Sequence, residues 1–258
     1  MLEIRDLSAG YPGHPVLSGI SLTIPEGTVT VIVGPNGCGK STLLKALTGI
    51  LPAAGSVRLD GQELLGLSSR ELAKKVAFLP QNRPVPQITA KNLVLHGRFP
   101  YLSYPRRYRQ EDHAAAEAAM EAMGIAELAQ RSLSTLSGGQ RQKVYIAMAL
   151  AQDTPVILLD EPNTFLDISH QLQLMEQAKR LAAAGKTVVL VLHDLCMALD
   201  RGDLLAVLSE GRCLFRGSPE ETFLSGSLSR AFGVQIRRIQ TPDGWKYYFS
   251  GNTDPWFK

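Results

Sequence analysis

Residues Gly34-Pro35-Asn36-Gly37-Cys38-Gly39-Lys40-Ser41 follow the pattern G-x-x-x-x-G-K-[ST]. They come directly after the apolar run Val29 to Val33 and open a helix at Lys40, the strand, loop and helix setting in which such a loop wraps phosphates. Glycines let the backbone approach an anion closely, and successive N–H groups and the helix N-terminus add partial positive charge. Lys40 adds a full charge, the Ser41 hydroxyl is placed to ligate Mg²⁺, and Thr42 continues the same turn. The chemistry predicted is binding of a nucleoside triphosphate.

A second group of acids lies far along the chain. Val156-Ile-Leu-Leu-Asp160-Glu161 is an apolar strand ending in two carboxylates, at the strand edge where open α/β sheets bind ligands. Adjacent side chains diverge there, so Asp160 can hold Mg²⁺ while Glu161 acts as general base for an attacking water. A strand ending Asp-Glu is commonplace by itself, and its pairing with the phosphate loop is what gives it meaning. Leu136-Ser137-Gly138-Gly139-Gln140 runs straight into a helix and forms another anion-binding arrangement of hydroxyl, backbone N–H groups and helix N-terminus. Taken alone, Ser137 reads equally well as a plain N-cap.

The elements that must position these groups alternate in a recognisable order. The first 33 residues read as strands, and Gly55 to Leu59 and Val76 to Leu79 supply two more, separated by the Asp60-Gly61 turn and a helix from about Ser69 to Lys74 that Ser68 can cap. From Ile88 to Gln152 the pattern is helical, with Glu111 to Met123 stopped by Gly124 and another helix from about Gly139 to Ala151. Val156 to Leu159 and Thr187 to Leu192 are apolar throughout and joined by the helix Ile168 to Ala184, which indicates a buried parallel sheet. The tail returns to short strands, with a hairpin turning at Pro242-Asp243-Gly244. The division expected is one domain over 1–258, with a nucleotide-binding core from 1–81 and 156–240, an inserted helical part over 82–155 and a hairpin and tail over 235–258.

Composition narrows the class. Hydrophobic residues make up 45% and charged residues 20%, and no apolar run approaches the roughly 18 to 20 residues that span a bilayer. The start, Met1-Leu-Glu-Ile-Arg-Asp-Leu, lacks the charged-then-apolar plan of a secretory signal, which predicts a cytoplasmic chain. Cys38, Cys196 and Cys213 are widely spaced and read as reduced thiols, although Cys38, at a helix N-terminus, is a candidate for a reactive thiolate. A net charge of +3 is too weak to argue for nucleic acid.

With these residues in hand, the sequence resembles the ABC ATPase family, whose phosphate loop, glutamine switch, LSGGQ signature, aspartate-glutamate strand, D-loop and switch histidine occur in this order. The resemblance implies a RecA-like P-loop NTPase core with an N-terminal antiparallel β-subdomain and an inserted helical subdomain, hydrolysing ATP with Mg²⁺. It makes Gln81 the switch glutamine that joins Ser41 and Asp160 at the metal, Asp167 the D-loop aspartate, His193 the switch histidine near the γ-phosphate and Tyr11 the aromatic that stacks on adenine. It also implies that Leu136, Ser137, Gly138, Gly139 and Gln140 of one subunit cover the nucleotide held by another, in a head-to-tail ATP-sandwich dimer.

Gly97-Arg-Phe-Pro-Tyr and Asp167-Ile-Ser-His-Gln are similar to importer ATPases for ferric siderophores and ferric citrate, with haem and cobalamin members close by. That branch implies two membrane permease subunits, an extracytoplasmic binding protein and a place on the cytoplasmic face of the membrane. Arg83, Arg98, Arg106, Arg107 and Arg109, interleaved with Phe99, Tyr101, Tyr104 and Tyr108, read as the permease-facing surface in preference to a nucleic-acid surface. Departures from the family pattern are Asn163 for Thr, Thr164-Phe165 for Ser-Ala in the D-loop, and Cys38 at a variable loop position. Phe165 is large for an interface loop and predicts altered communication between two sites. A soluble ABC ATPase acting on ribosomes or DNA would usually carry tandem cassettes or a long coiled coil, and a non-hydrolysing module would usually lack Glu161 or His193.

Overall fold

The computed structural model describes residues 1–164, 166–242 and 244–250. β1 (Leu2–Tyr11) and β2 (His14–Ile24) form an antiparallel pair, followed by β3 (Val29–Val33), α1 (Lys40–Leu47), β4 (Ala53–Leu59) and β5 (Gln62–Glu63). Asp60 and Gly61, both with positive φ (50° and 81°), make the two-residue turn between β4 and β5. α2 (Ser69–Leu72), capped by Ser68 with Glu71, precedes β6 (Val76–Leu79). Three helices follow, α3 (Ala90–His96), α4 (Gln110–Ala122) and α5 (Gly138–Ala151), before β7 (Val156–Asp160), α6 (Ile168–Ala183) and β8 (Thr187–Val191). α7 (Leu195–Arg201), β9 (Leu204–Ser209), β10 (Arg212–Gly217), α8 (Pro219–Leu224) and α9 (Ser227–Phe232) lead to the hairpin of β11 (Gln235–Thr241) and β12 (Gly244–Ser250). Asp243, at the turn of that hairpin, and Phe165 lie outside the described residues, as does the tail beyond Ser250.

The central sheet has the order β10-β9-β3-β8-β7-β6, parallel except for β10, and a smaller antiparallel sheet has the order β2-β1-β4-β5. The apolar runs of β3, β7 and β8 are continuous because both faces of the central sheet are covered. Val31, Ile157 and Leu190 pack with α3 to α7 on one side, whereas Ile32, Leu158 and Val189 pack with α1 and the antiparallel sheet on the other. Among the described residues no helix is long and apolar enough to cross a membrane.

The helical segment is fastened by a buried ion pair that the charge pattern does not reveal. Arg98 donates to the Asp112 carboxylate (3.1 Å) and to the carbonyl of Ala151 (3.1 Å), tying the start of α4 to the end of α5. Its guanidinium also stacks 4.1 Å from the centre of the Tyr101 ring. Burial alone would raise the Asp112 carboxyl, but the Arg109 N–H and the Arg98 guanidinium outweigh it and hold the group below the usual carboxylate range. A carboxyl depressed in the folded state stabilises above its unfolded pKa of about 4 and loses that contribution as pH falls through the folded value. Arg98→Ala should therefore cost about 3 to 5 kcal/mol in denaturant unfolding at neutral pH. Asp112→Asn should flatten the acid limb of stability against pH below about 4.

Candidate active site

The phosphate loop is locked between β3 and α1 by close backbone approach. A Cβ on Gly34 would fall 2.2 Å from the Leu208 carbonyl oxygen, so no side chain fits there, and Gly39 adopts φ 105° as it caps α1. Lys40 is buried, and its ammonium donates to the carbonyls of Gly34 (2.7 Å) and Pro35 (3.0 Å), which holds its charge inside the curve of the loop. Asn36, Gly37, Gly39, Lys40, Ser41 and Thr42 line a cleft of about 460 Å³, whose other walls include Gln81, Glu161 and His193.

The acids at the end of β7 sit in two different environments. Asp160 is 2% exposed, and its Oδ1 has no hydrogen-bond partner. Burial pushes its carboxyl up, the Ser41 hydroxyl draws it down, the neighbouring Glu161 adds to the rise, and Lys45 and Lys40 oppose it. A buried, unpaired carboxylate oxygen beside a hydroxyl is costly unless a cation or proton joins it, so the donor set fits a hard divalent ion. Glu161 takes φ 49°, a left-handed conformation rare outside glycine that costs about 1 to 3 kcal/mol and is typical of functional sites. Its carboxylate accepts a hydrogen bond from the Gln81 amide and lies 2.5 Å from His193 Nε2. Three segments remote in sequence therefore converge on one carboxylate at the phosphate cleft.

Leu136 to Gln140 occupy a separate place. Ser137 caps α5, accepting from Gln140 N (3.2 Å), while the Gln140 side chain accepts from Ser137 N (3.0 Å). Ser137, Gly138, Gly139 and Gln140 line a second cleft of about 680 Å³ together with Asp167 and Lys143, whereas Leu136 is buried beneath it. Asp167 caps α6, and hydrogen bonds from the His170 N–H and the Ser169 hydroxyl lower its carboxyl to about 2. Neither the signature residues nor Asp167 line the phosphate cleft of their own chain.

Two expectations are corrected. Cys38 is 5% exposed and turned inward; burial pushes its thiol up and outweighs the Lys40 charge and the backbone hydrogen bonds, so it is not a reactive thiolate. In the arginine and aromatic stretch, Arg98 is consumed by Asp112, and Arg83 stacks on Tyr145 at 4.4 Å. Others in the stretch stay at the surface: Arg107 and Arg109 are exposed, and the nearly fully exposed Tyr104 (97%) with Phe99 and Arg106 borders an apolar groove of about 430 Å³ beside α2. Tyr11 is exposed, outside the phosphate cleft, and its hydroxyl receives a hydrogen bond from Lys45 (3.2 Å), one helical turn beyond Ser41. Pro35 contributes only its carbonyl to Lys40 and does not line the cleft. Sequence reasoning missed Val16, which lines the phosphate cleft from β2, and the half-buried Lys143, which lines the second cleft three residues past Gln140 on α5.

A phosphate loop beside a buried metal-type carboxylate and a held glutamate, with a separate signature cleft, defines a class of nucleotide-hydrolysing cassette. The family model for ABC transporters matches residues 17–164. The chain belongs to the ABC transporter family, and within it is an ATP-hydrolysing subunit. It is 44% identical over 244 residues to the ferric enterobactin transport ATP-binding protein of Escherichia coli (strain K12), covering 93% of this chain and 90% of that one. Against the iron(3+)-hydroxamate import ATP-binding protein of Bacillus subtilis (strain 168) the identity is 38% over 244 residues, with 93% and 91% covered. A bacterial ABC transporter cassette solved as a dimer superimposes with a TM-score of 0.75 at 30% identity, over 85% of this chain and 99% of that one.

Proposed function

We propose that this chain powers import of a ferric siderophore through a membrane permease, hydrolysing MgATP at a site completed by a second copy of itself. The observation that carries the hydrolytic reading is the convergence of Gln81 and His193 on Glu161 at the rim of the phosphate cleft. The cargo rests on likeness to the ferric enterobactin and iron-hydroxamate proteins and on the Gly97 to Tyr101 and Asp167 to Gln171 segments.

In this reading, the loop from Gly34 to Thr42 cradles the triphosphate, Lys40 neutralises its charge and Tyr11 stacks on adenine. Ser41, Asp160 and Gln81 would hold Mg²⁺; Gln81 has its amide N–H on Glu161, which leaves the amide oxygen for a cation. The ion, when bound, offsets negative charge on the β- and γ-phosphates. Glu161 accepts the proton of the attacking water, and His193, whose Nε2 lies beside the same carboxylate, orients it and contributes a polar group beside the γ-phosphate. Because Ser137 to Gln140 open on a cleft of their own, they serve the nucleotide of the opposite subunit, which makes the working unit a head-to-tail dimer. The dimeric cassette among the similar structures supports that assembly.

The groove bordered by Phe99, Leu102 and Tyr104 is the surface proposed for the permease, one chain against each of two permease subunits, with the extracytoplasmic binding protein acting through them. That assembly places the chain peripherally on the cytoplasmic face of the membrane. Segments 1–81 and 156–240 act as the nucleotide-binding core, 82–155 as the helical part that carries signature and permease surface, and 235–258 as a terminal hairpin and tail. The test is ATPase stimulation of the chain co-purified with its permease, on adding binding protein loaded in turn with ferric siderophore, ferric citrate, haem and cobalamin. Stimulation by ferric siderophore alone is expected; stimulation only by haem or cobalamin would move the cargo, and none by any of them would discredit the importer branch.

A further inference from the structure

The loop after β6 is tied to the loop after β7 twice. One tie is the Gln81 amide on Glu161. The other passes through α5: Arg83 Nη2 donates to Gln142 Oε1 (2.8 Å), and Gln142 Nε2 donates to the carbonyl of Pro162 (2.6 Å), the residue that follows Glu161. Gln142 is 3% exposed and lies within the first turns of the helix that Ser137 caps. Tyr145, one turn further along α5, supports the guanidinium with its ring and donates its hydroxyl to the Pro84 carbonyl (2.5 Å). Gln81, Arg83, Gln142, Pro162 and Glu161 thus close a ring of hydrogen bonds and short covalent segments.

Arg83 is half-buried, and it is an unusual residue to find here. Among the described residues no carboxylate pairs with it, and its Nη1 is buried without a partner. A guanidinium partly withdrawn from water, with one nitrogen unpartnered and only an amide and an aromatic face beside it, weakens a fold unless it is used. What it reaches is the amide that donates to the carbonyl of Pro162, next to Glu161, whose backbone is itself held in a left-handed conformation.

We infer that Arg83 and Gln142 are positioning residues for ATP hydrolysis, holding Pro162 and with it the Glu161 carboxylate in register with the signature helix. The inference rests on Glu161 being the general base. The relay makes the placement of that base depend on where α5 sits, so that docking of the signature onto the opposite nucleotide and alignment of the base in its own site become one event.

Three variants of the full-length chain test this: Arg83→Met, which keeps an apolar stem over Tyr145 but loses the donor; Arg83→Lys, which restores a donor; and Gln142→Glu, which keeps an acceptor for Arg83 but loses the N–H given to Pro162. Steady-state ATPase and thermal unfolding are measured for each, with Glu161→Gln in parallel. Arg83→Met and Gln142→Glu should each lower kcat by about tenfold to a hundredfold, the scale of a small misplacement of a catalytic group. KM for ATP should stay within about twofold, Arg83→Lys should recover most of the rate, and a chain carrying both Arg83→Met and Gln142→Glu should be no slower than the slower single variant. A kcat within about twofold of the parent in Arg83→Met and Gln142→Glu, beside an inactive Glu161→Gln, would overturn the relay. So would losses that follow melting temperature, with Arg83→Lys no better than Arg83→Met. Normal turnover by Glu161→Gln would instead remove the base assignment on which the relay depends.

Discussion

Glu161→Gln should lose about 10²- to 10⁴-fold in ATP turnover, the contribution typical of a positioned general base, while its affinity for ATP stays close to that of the parent chain. The substitution is nearly isosteric, and a glutamine can still accept from the Gln81 amide, so the cleft should keep its shape. It cannot take a proton from water. His193, which lies 2.5 Å from the carboxylate, loses its anionic partner at the same time, so both groups proposed to prepare the water are impaired by one change. The check is a pairing of single-turnover hydrolysis with equilibrium nucleotide binding. A drop in kcat of less than tenfold, with binding intact, would assign the base to another residue.

Lys40→Ala should act at the earlier step, weakening binding of ATP by about tenfold to a hundredfold, as expected when a hydrogen-bonding charge worth about 1.5 to 3 kcal/mol is removed. The buried ammonium is fixed by two loop carbonyls, so its charge is already aimed where phosphates would lie and little ordering remains to be done on binding. Removing it also leaves the carbonyls of Gly34 and Pro35 without this donor, so a lower melting temperature should accompany the weaker binding. Titration calorimetry with a non-hydrolysable ATP analogue separates this from the Glu161 variant, which binds but does not turn over. Unchanged affinity in Lys40→Ala would contradict the placing of the triphosphate in the loop.

Those two residues were legible because their neighbours in sequence set their positions. Lys40 follows a buried strand and glycines whose conformations leave few paths for the loop, and Glu161 ends a strand whose unbroken apolar character marks it as covered on both faces. Gly185 and Ser68 likewise mark helix boundaries through local chemistry that needs no tertiary context.

What sequence did not disclose depends on contacts between distant segments. Arg98 and Arg83 look like neighbours of Arg106 and Arg107 in one basic stretch, yet the first finds Asp112 across a helix junction and the second finds Gln142, 59 residues away. Nothing in residue type or spacing separates an arginine held by a partner from a free, exposed one when that partner lies on another element. Cys38 misled for a related reason: the charge of Lys40 and the nearby helix start favour a thiolate, but the side chain faces the packed strand side, where burial prevails. The separation of the signature from the phosphate loop within one chain could be placed in space only once α5 was seen against the second cleft.

The proposed mechanism shares each active site between two copies of the chain. Sedimentation equilibrium of the full-length Glu161→Gln variant, with and without MgATP, measures this most directly. A monomer without nucleotide and a species of twice the monomer mass at saturating MgATP are expected. A chain that binds ATP at saturation and still sediments as a monomer would contradict the shared site.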